Sequence, residues 1–176
     1  MNKINVVGTS AFGKTTFAKK LSDKLQLHYI ELDDLFWLDD WEETSDHAFF
    51  LKIQQAIESA KHGFVIDGNY TRTTHVKWQT IDTVIWLDFP FHINLYQSIK
   101  RAISRAVFNK KLWQHSNNRE SFGKMFSADS IIWWMIKTHQ KNRQQYITMM
   151  NDPQYSHIQF IHLKSRKDCD QFLRSL

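Results

Sequence analysis

The residues with the clearest chemical potential lie near the amino terminus. Gly8-Thr9-Ser10-Ala11-Phe12-Gly13-Lys14-Thr15 fits the pattern G-x-x-x-x-G-K-S/T. A β-branched run, Ile4-Asn5-Val6-Val7, precedes it, and a segment of helical periodicity follows. In that context the pattern is a phosphate-binding loop. Its glycines let the backbone curl, so that successive N–H groups and the positive end of a helix converge on a polyphosphate. Gly8, Ser10, Ala11, Phe12, Gly13, Lys14, Thr15 and Thr16 are therefore expected to bind a nucleotide. Lys14 would reach the β/γ oxygens as a point charge, and the Thr15 hydroxyl would ligate Mg²⁺. Ala11 and Phe12 stand where related loops often carry Gly and Ser, which makes close backbone approach at Ala11 less free.

A second group follows another apolar run: Phe64-Val65-Ile66-Asp67-Gly68-Asn69-Tyr70-Thr71-Arg72. A carboxylate at the carboxyl end of a parallel strand, beside the phosphate loop, can hold a Mg²⁺-bound water, and Asp67 is that candidate. A helix or turn cap is its plainer role. Gly68 leaves room for a substrate near the backbone. Arg72 can grip an anionic group bidentately, or serve in a surface ion pair. Asp88 closes Val84-Ile85-Trp86-Leu87 and reads as structural.

These residues need a frame. Phe17, Ala18, Leu21 and Leu25 fall at helical spacing after the loop, and 27–32 suits a second strand. Residues 45–60 present Phe49, Phe50, Ile53, Ala56, Ile57 and Ala60 on one face, with Ser45 or Asp46 as N-cap. Strands at 64–66, 83–87 and 158–163 and helices near 92–108, 128–150 and 167–176 complete an alternating pattern. It predicts a parallel α/β sheet covered on both faces.

The phosphate loop, the Asp67–Arg72 stretch and Ile85-Trp86-Leu87-Asp88-Phe89-Pro90 resemble the core of the adenylate-kinase-like branch of P-loop kinases. Leu32-Asp33-Asp34-Leu35-Phe36-Trp37, Ile66-Asp67-Gly68-Asn69-Tyr70 and Asn118-Arg119-Glu120-Ser121-Phe122 are similar to the bacterial DNA topology modulation proteins. This resemblance implies a three-layer P-loop fold with a five-stranded parallel sheet in one domain, 1–176. It also implies a small acceptor-binding insertion over about 33–62 and an arginine-rich lid over about 109–127. Asp33 then falls where such kinases bind the acceptor, and a carboxylate there could orient or deprotonate an acceptor hydroxyl. Trp37, Gly68, Asn69 and Arg72 join it as acceptor-binding candidates. The alternative for Trp37 and its aromatic neighbours is plain core packing.

Charge is spread unevenly over the 176 residues, whose net is +5. Residues 1–99 hold 9 Lys and Arg against 13 Asp and Glu, whereas 100–143 hold 10 against 2. The basic stretch calls for an anion. In a kinase, Arg101, Arg105 and Arg119 would neutralise charge on the transferring phosphoryl group, since guanidinium geometry matches phosphate. With Phe108, Trp113, Phe122 and Phe126 interleaved, the same stretch also suits a nucleic-acid-binding ATPase or regulator of DNA topology.

Other functions are disfavoured. One cysteine, Cys169, excludes an internal disulfide framework and a cysteine-based zinc cluster, and a reducing cytoplasm is the expected location. The nine histidines form no close ligand pair. Neither a signal peptide nor an apolar run of membrane-spanning length is found. The expectation is an ATP- and Mg²⁺-dependent small-molecule kinase.

Overall fold

A computed structural model describes residues 1–8, 13–93, 95–96, 100, 117–118 and 131–176. Ser10, Ala11, Phe12, Arg101, Arg105 and Arg119 lie outside the described residues, as does most of the basic stretch.

Five strands form one parallel sheet: β1 Lys3–Gly8, β2 His28–Glu31, β3 Phe64–Asp67, β4 Thr83–Leu87 and β5 Gln159–Leu163. Their spatial order is β2-β3-β1-β4-β5, every pair parallel. The described helices are α1 Lys14–Leu25, α2 Leu32–Phe36, α3 Asp46–Ser59, α4 Thr74–Lys77, α5 Ile131–Met150 and α6 Arg166–Ser175. The α/β reading thus holds, with strand boundaries within two residues of expectation. The short helices α2 and α4 carry no sequence periodicity of their own.

Burial on both faces explains why the central strands read as continuous apolar runs. Alternation assigns the residues to two cores. Ile4, Val6, Val65, Ile85 and Leu87 pack under Phe17, Ala18 and Leu21 of α1 and Cys169 of α6. Val7, Ile66, Val84 and Trp86 face the other way, against Phe36, Phe49, Ile53, Trp78 and Tyr146. Ser45 caps α3 by accepting from the Ala48 amide, as its position before the apolar stripe suggested.

Asn5 is a polar side chain that penetrates the second core. Asn5, fully buried, donates from Nδ2 to the Ile66 and Gly68 carbonyls at 3.1 and 3.2 Å. Its Oδ1 accepts from the Trp78 indole at 3.0 Å. Both ends of the amide are satisfied, so burial is tolerable. The bonds fix the exit of β3 against β1.

Candidate active site

All five strands are parallel and point their carboxyl ends at one edge of the sheet. Such an edge, outside the strand ends, is where open α/β sheets bind ligands.

Gly8 ends β1 with φ of 143°, and a Cβ there would lie 2.4 Å from the Leu87 carbonyl oxygen. Only glycine fits so close to β4. Gly13, at φ 78° and ψ 24°, is the N-cap of α1. No side chain caps that end and no acidic residue lies in its first turn, whereas α3 and α6 are each capped by serine. The helix dipole at the start of α1 therefore suits an anion. Lys14 and Thr15 form the first turn of the helix, followed by Thr16.

The Thr15 hydroxyl donates to Asp67 Oδ2 at 2.6 Å, and the Tyr29 hydroxyl donates to the same oxygen at 3.0 Å. Asp67 is only 4% exposed. Burial pushes its carboxyl above the usual range, while the Lys14 charge and the Thr15 bond oppose that rise. Glu31, at the end of β2, is also raised by burial and is drawn back by Lys19, 3.6 Å away. A hydroxyl and a carboxylate in contact are an all-oxygen donor pair, which fits a hard cation such as Mg²⁺. Among the described residues, no three Asp, Glu, His or Cys side chains form a metal cage. A cation here would rest on Thr15, Asp67 and the oxygens of its own ligand.

The turn after β3 ties this group to the end of β1 and to α2. Asn69 grips Gly8 at two points: its Oδ1 accepts from the Gly8 amide at 2.9 Å, and its Nδ2 donates to the Gly8 carbonyl at 2.8 Å. Both ends of its amide are thus used on the last residue of β1. Tyr70 donates from its hydroxyl to Asp33 Oδ1 at 2.7 Å. Lys77, at the end of α4, is fully buried and donates from its ammonium to the Asn69 carbonyl. Burial pulls that ammonium down to about 7.

Gly68 has φ of 136°, and a Cβ there would lie 2.9 Å from Leu32 Cβ. Its need is tight packing on α2. Arg72 pairs with Asp46 at 3.1 Å and lies 4.7 Å over the Phe36 ring. Trp37 meets Phe36 and Trp41 edge-on, with centroids 5.0 and 5.7 Å apart. Asp33, Tyr70, Trp37 and Arg72 thus gather around one aromatic cluster on the β2/β3 side.

Asn117 and Asn118, from the segment expected to form the lid, clasp the turn at 38–41. Asn118, 2% exposed, accepts from the Trp41 amide at 2.7 Å and donates to the Leu38 carbonyl at 2.8 Å. Asn117 accepts from the Asp40 amide at 2.9 Å and donates from its own amide to Asp39 Oδ1 at 2.7 Å. Asp40 and Trp41, at φ 55° and 65°, are held in a left-handed turn by these bonds.

On the β4/β5 side lies a cleft of about 610 Å³ lined by Asp88, Phe89, Phe91, His139, Arg143 and Lys164, with Pro90 and Gln140. Asp88 accepts from Arg143 Nε at 3.0 and 3.2 Å, and His162 Nε2 lies 2.9 Å from its Oδ2. The His162 ring stacks on Trp86 with centroids 4.0 Å apart. Arg143 and His162 were not among the expected site residues. His139 and Arg143 are four apart on α5, and that spacing is the signal that could have found the arginine.

Comparison by sequence matches this chain to no family model and to no curated protein. Solved structures do resemble it. A gluconokinase from Sinorhizobium meliloti 1021 is 11% identical over 98% of this chain and 87% of that one, with a TM-score of 0.55. The shikimate kinase from Acinetobacter baumannii, in complex with shikimate, is 12% identical over 99% and 90%, with a TM-score of 0.57. The shikimate kinase from Bacteroides thetaiotaomicron is 14% identical over 99% and 95%, with a TM-score of 0.52. The chain has the α/β fold of these kinases: a five-stranded parallel sheet with helices on both sides.

Proposed function

We propose that the protein is a small-molecule kinase that transfers the γ-phosphoryl group of ATP to an acceptor hydroxyl or phosphate. The observation that carries this reading is the turn at 67–70. Within four residues it contacts the helix-start threonine through Asp67, the phosphate loop through Asn69 and a second carboxylate, Asp33, through Tyr70. Donor and acceptor groups are thereby held in one rigid unit, as in-line transfer requires. The kinase folds to which this chain is similar support the same reading.

In this reading the triphosphate lies over α1 and Lys14, and the nucleoside extends toward the cleft beside Arg143 and Lys164. Thr15 and Asp67 would hold Mg²⁺, which when bound neutralises charge on the phosphate oxygens. Asp33 orients the acceptor hydroxyl and accepts its proton. Tyr70 keeps that carboxylate in one rotamer. Arg101, Arg105 and Arg119 are proposed to neutralise the transferring group. Trp37 and Arg72 border the acceptor.

The test is a panel of small hydroxylated and phosphorylated metabolites scored for acceptor-dependent ADP formation, with Lys14→Ala as control. One acceptor that stimulates ADP release stoichiometrically, and loses that effect in Lys14→Ala, supports the reading. ADP formation indifferent to every acceptor refutes it.

A further inference from the structure

We propose that Tyr29 is a positioning residue for the cation site: its hydroxyl, bonded to Asp67 Oδ2, holds the carboxylate so that Oδ1 is presented to the metal. The inference rests on the kinase reading for the identity of that cation, the Mg²⁺ of a bound nucleotide. The orientation of the carboxylate is judged apart from it.

The Tyr29 hydroxyl donates to Asp67 Oδ2 at 3.0 Å, and the Thr15 hydroxyl donates to the same oxygen at 2.6 Å. A carboxylate oxygen has two lone pairs, so two donors fill Oδ2. Among the described residues none donates to Oδ1. That oxygen is therefore the one with capacity for a cation or a cation-bound water. Thr15 alone would leave the carboxylate free to pivot about Cβ–Cγ and exchange its oxygens. Tyr29 approaches from β2 and Thr15 from α1, and two donors on separate elements fix the plane.

The sheet explains why the phenol arrives there. Tyr29 pairs with Val65 in register, which puts it diagonally across from Asp67 on the same face, within reach of a long side chain. Its ring is held in turn. Lys19, one turn beyond Thr15 on α1, lies 5.1 Å over the ring and pairs with Glu31 at 3.6 Å. Phenylalanine would fill the same half-buried position without placing a hydroxyl in a part-buried site. The hydroxyl is thus explained by the carboxylate it orients. Because Asp67 is itself buried, water is a poor substitute for that donor.

The experiment compares wild type with Tyr29→Phe, which keeps the ring and removes the donor, and with Tyr29→His, which keeps a ring donor of shorter reach. Mn²⁺ is the probe, titrated into the ADP complex and read by electron paramagnetic resonance. Its affinity should fall about tenfold in Tyr29→Phe, the lower end of what partners of a ligating carboxylate contribute, with Tyr29→His between. ADP affinity without metal should change by less than about twofold, since the loss falls on the cation. The metal-free crystal structure of Tyr29→Phe should show the Asp67 carboxylate turned out of its wild-type plane. Should Tyr29→Phe fail to fold, Tyr29→His carries the same comparison. An unmoved carboxylate, or Mn²⁺ affinity within about twofold of wild type, would overturn the proposal. So would equal losses in Mn²⁺ affinity and metal-free ADP affinity, which mark a general structural role. A wild-type protein that binds no nucleotide would instead overturn the kinase reading, and the carboxylate plane in the two metal-free crystal structures would then decide the positioning role alone.

Discussion

Replacing Asn69 by alanine removes the two-point grip on Gly8 and nothing from the core. The lost bonds are 2.9 and 2.8 Å long, and each contributes about 1 kcal/mol net. The Gly8 amide and carbonyl lie at a part-buried β1 terminus, so incomplete replacement by water adds about 1 kcal/mol more. The expected loss is therefore ~3 kcal/mol. For a domain of this size each kcal/mol lowers the melting temperature by about 2–4 °C, giving a drop of about 6–12 °C by circular dichroism. Because Gly8 leads into the proposed phosphate loop, affinity for a fluorescent ATP analogue should also fall about tenfold, equivalent to ~1.4 kcal/mol. Asn69→Asp is the sharper control. It keeps an acceptor for the Gly8 amide but sets an oxygen against the Gly8 carbonyl, so it should be no more stable than the alanine variant. The reasoning fails if Asn69→Ala melts within about 1 °C of wild type with unchanged nucleotide affinity.

Three further outcomes are expected. Gly68→Ala should lose ~2–4 kcal/mol in urea unfolding, because its Cβ would lie 2.9 Å from Leu32 Cβ at a φ of 136°; a loss below ~1 kcal/mol would show that α2 yields freely. Tyr70→Phe removes a 2.7 Å bond to a carboxylate and should raise acceptor KM by about 10-fold or more at constant nucleotide affinity, measured by initial rates. Asp67 is raised by burial, so between its unfolded and native pKa values the folded state holds a proton that the unfolded chain lacks. Its contribution to stability is therefore lost as pH rises through that window, and Mg²⁺ must compete with the proton as pH falls. Mg²⁺ affinity in the nucleotide complex should thus weaken on acidification, and Asp67→Asn should reduce that dependence to the part set by the nucleotide phosphates, without lowering the melting temperature at neutral pH.

Local chemistry by itself determined the sheet of this protein and marked Gly8–Thr15 as the candidate phosphate loop. Strands buried on both faces must be largely apolar, as Val6–Val7, Phe64–Ile66 and Val84–Leu87 are, and a glycine-flanked Lys-Thr after a strand has few other uses. Thr15 and Asp67 could be singled out in the same way, because each lies at the end of an element whose direction the pattern reveals. Only the tertiary structure decided what the polar residues of the 67–70 turn do. Asn69, expected beside an acceptor, spends both ends of its amide on Gly8, 61 residues away in the chain. Arg72 packs over Phe36 and pairs with Asp46, and Arg143 meets Asp88 across 55 residues. Lys77 carries no sequence mark of burial at all. Hydrogen bonds and ion pairs join groups by distance in space, and the chain order of a residue holds no record of which distant carbonyl or carboxylate the fold will bring against it.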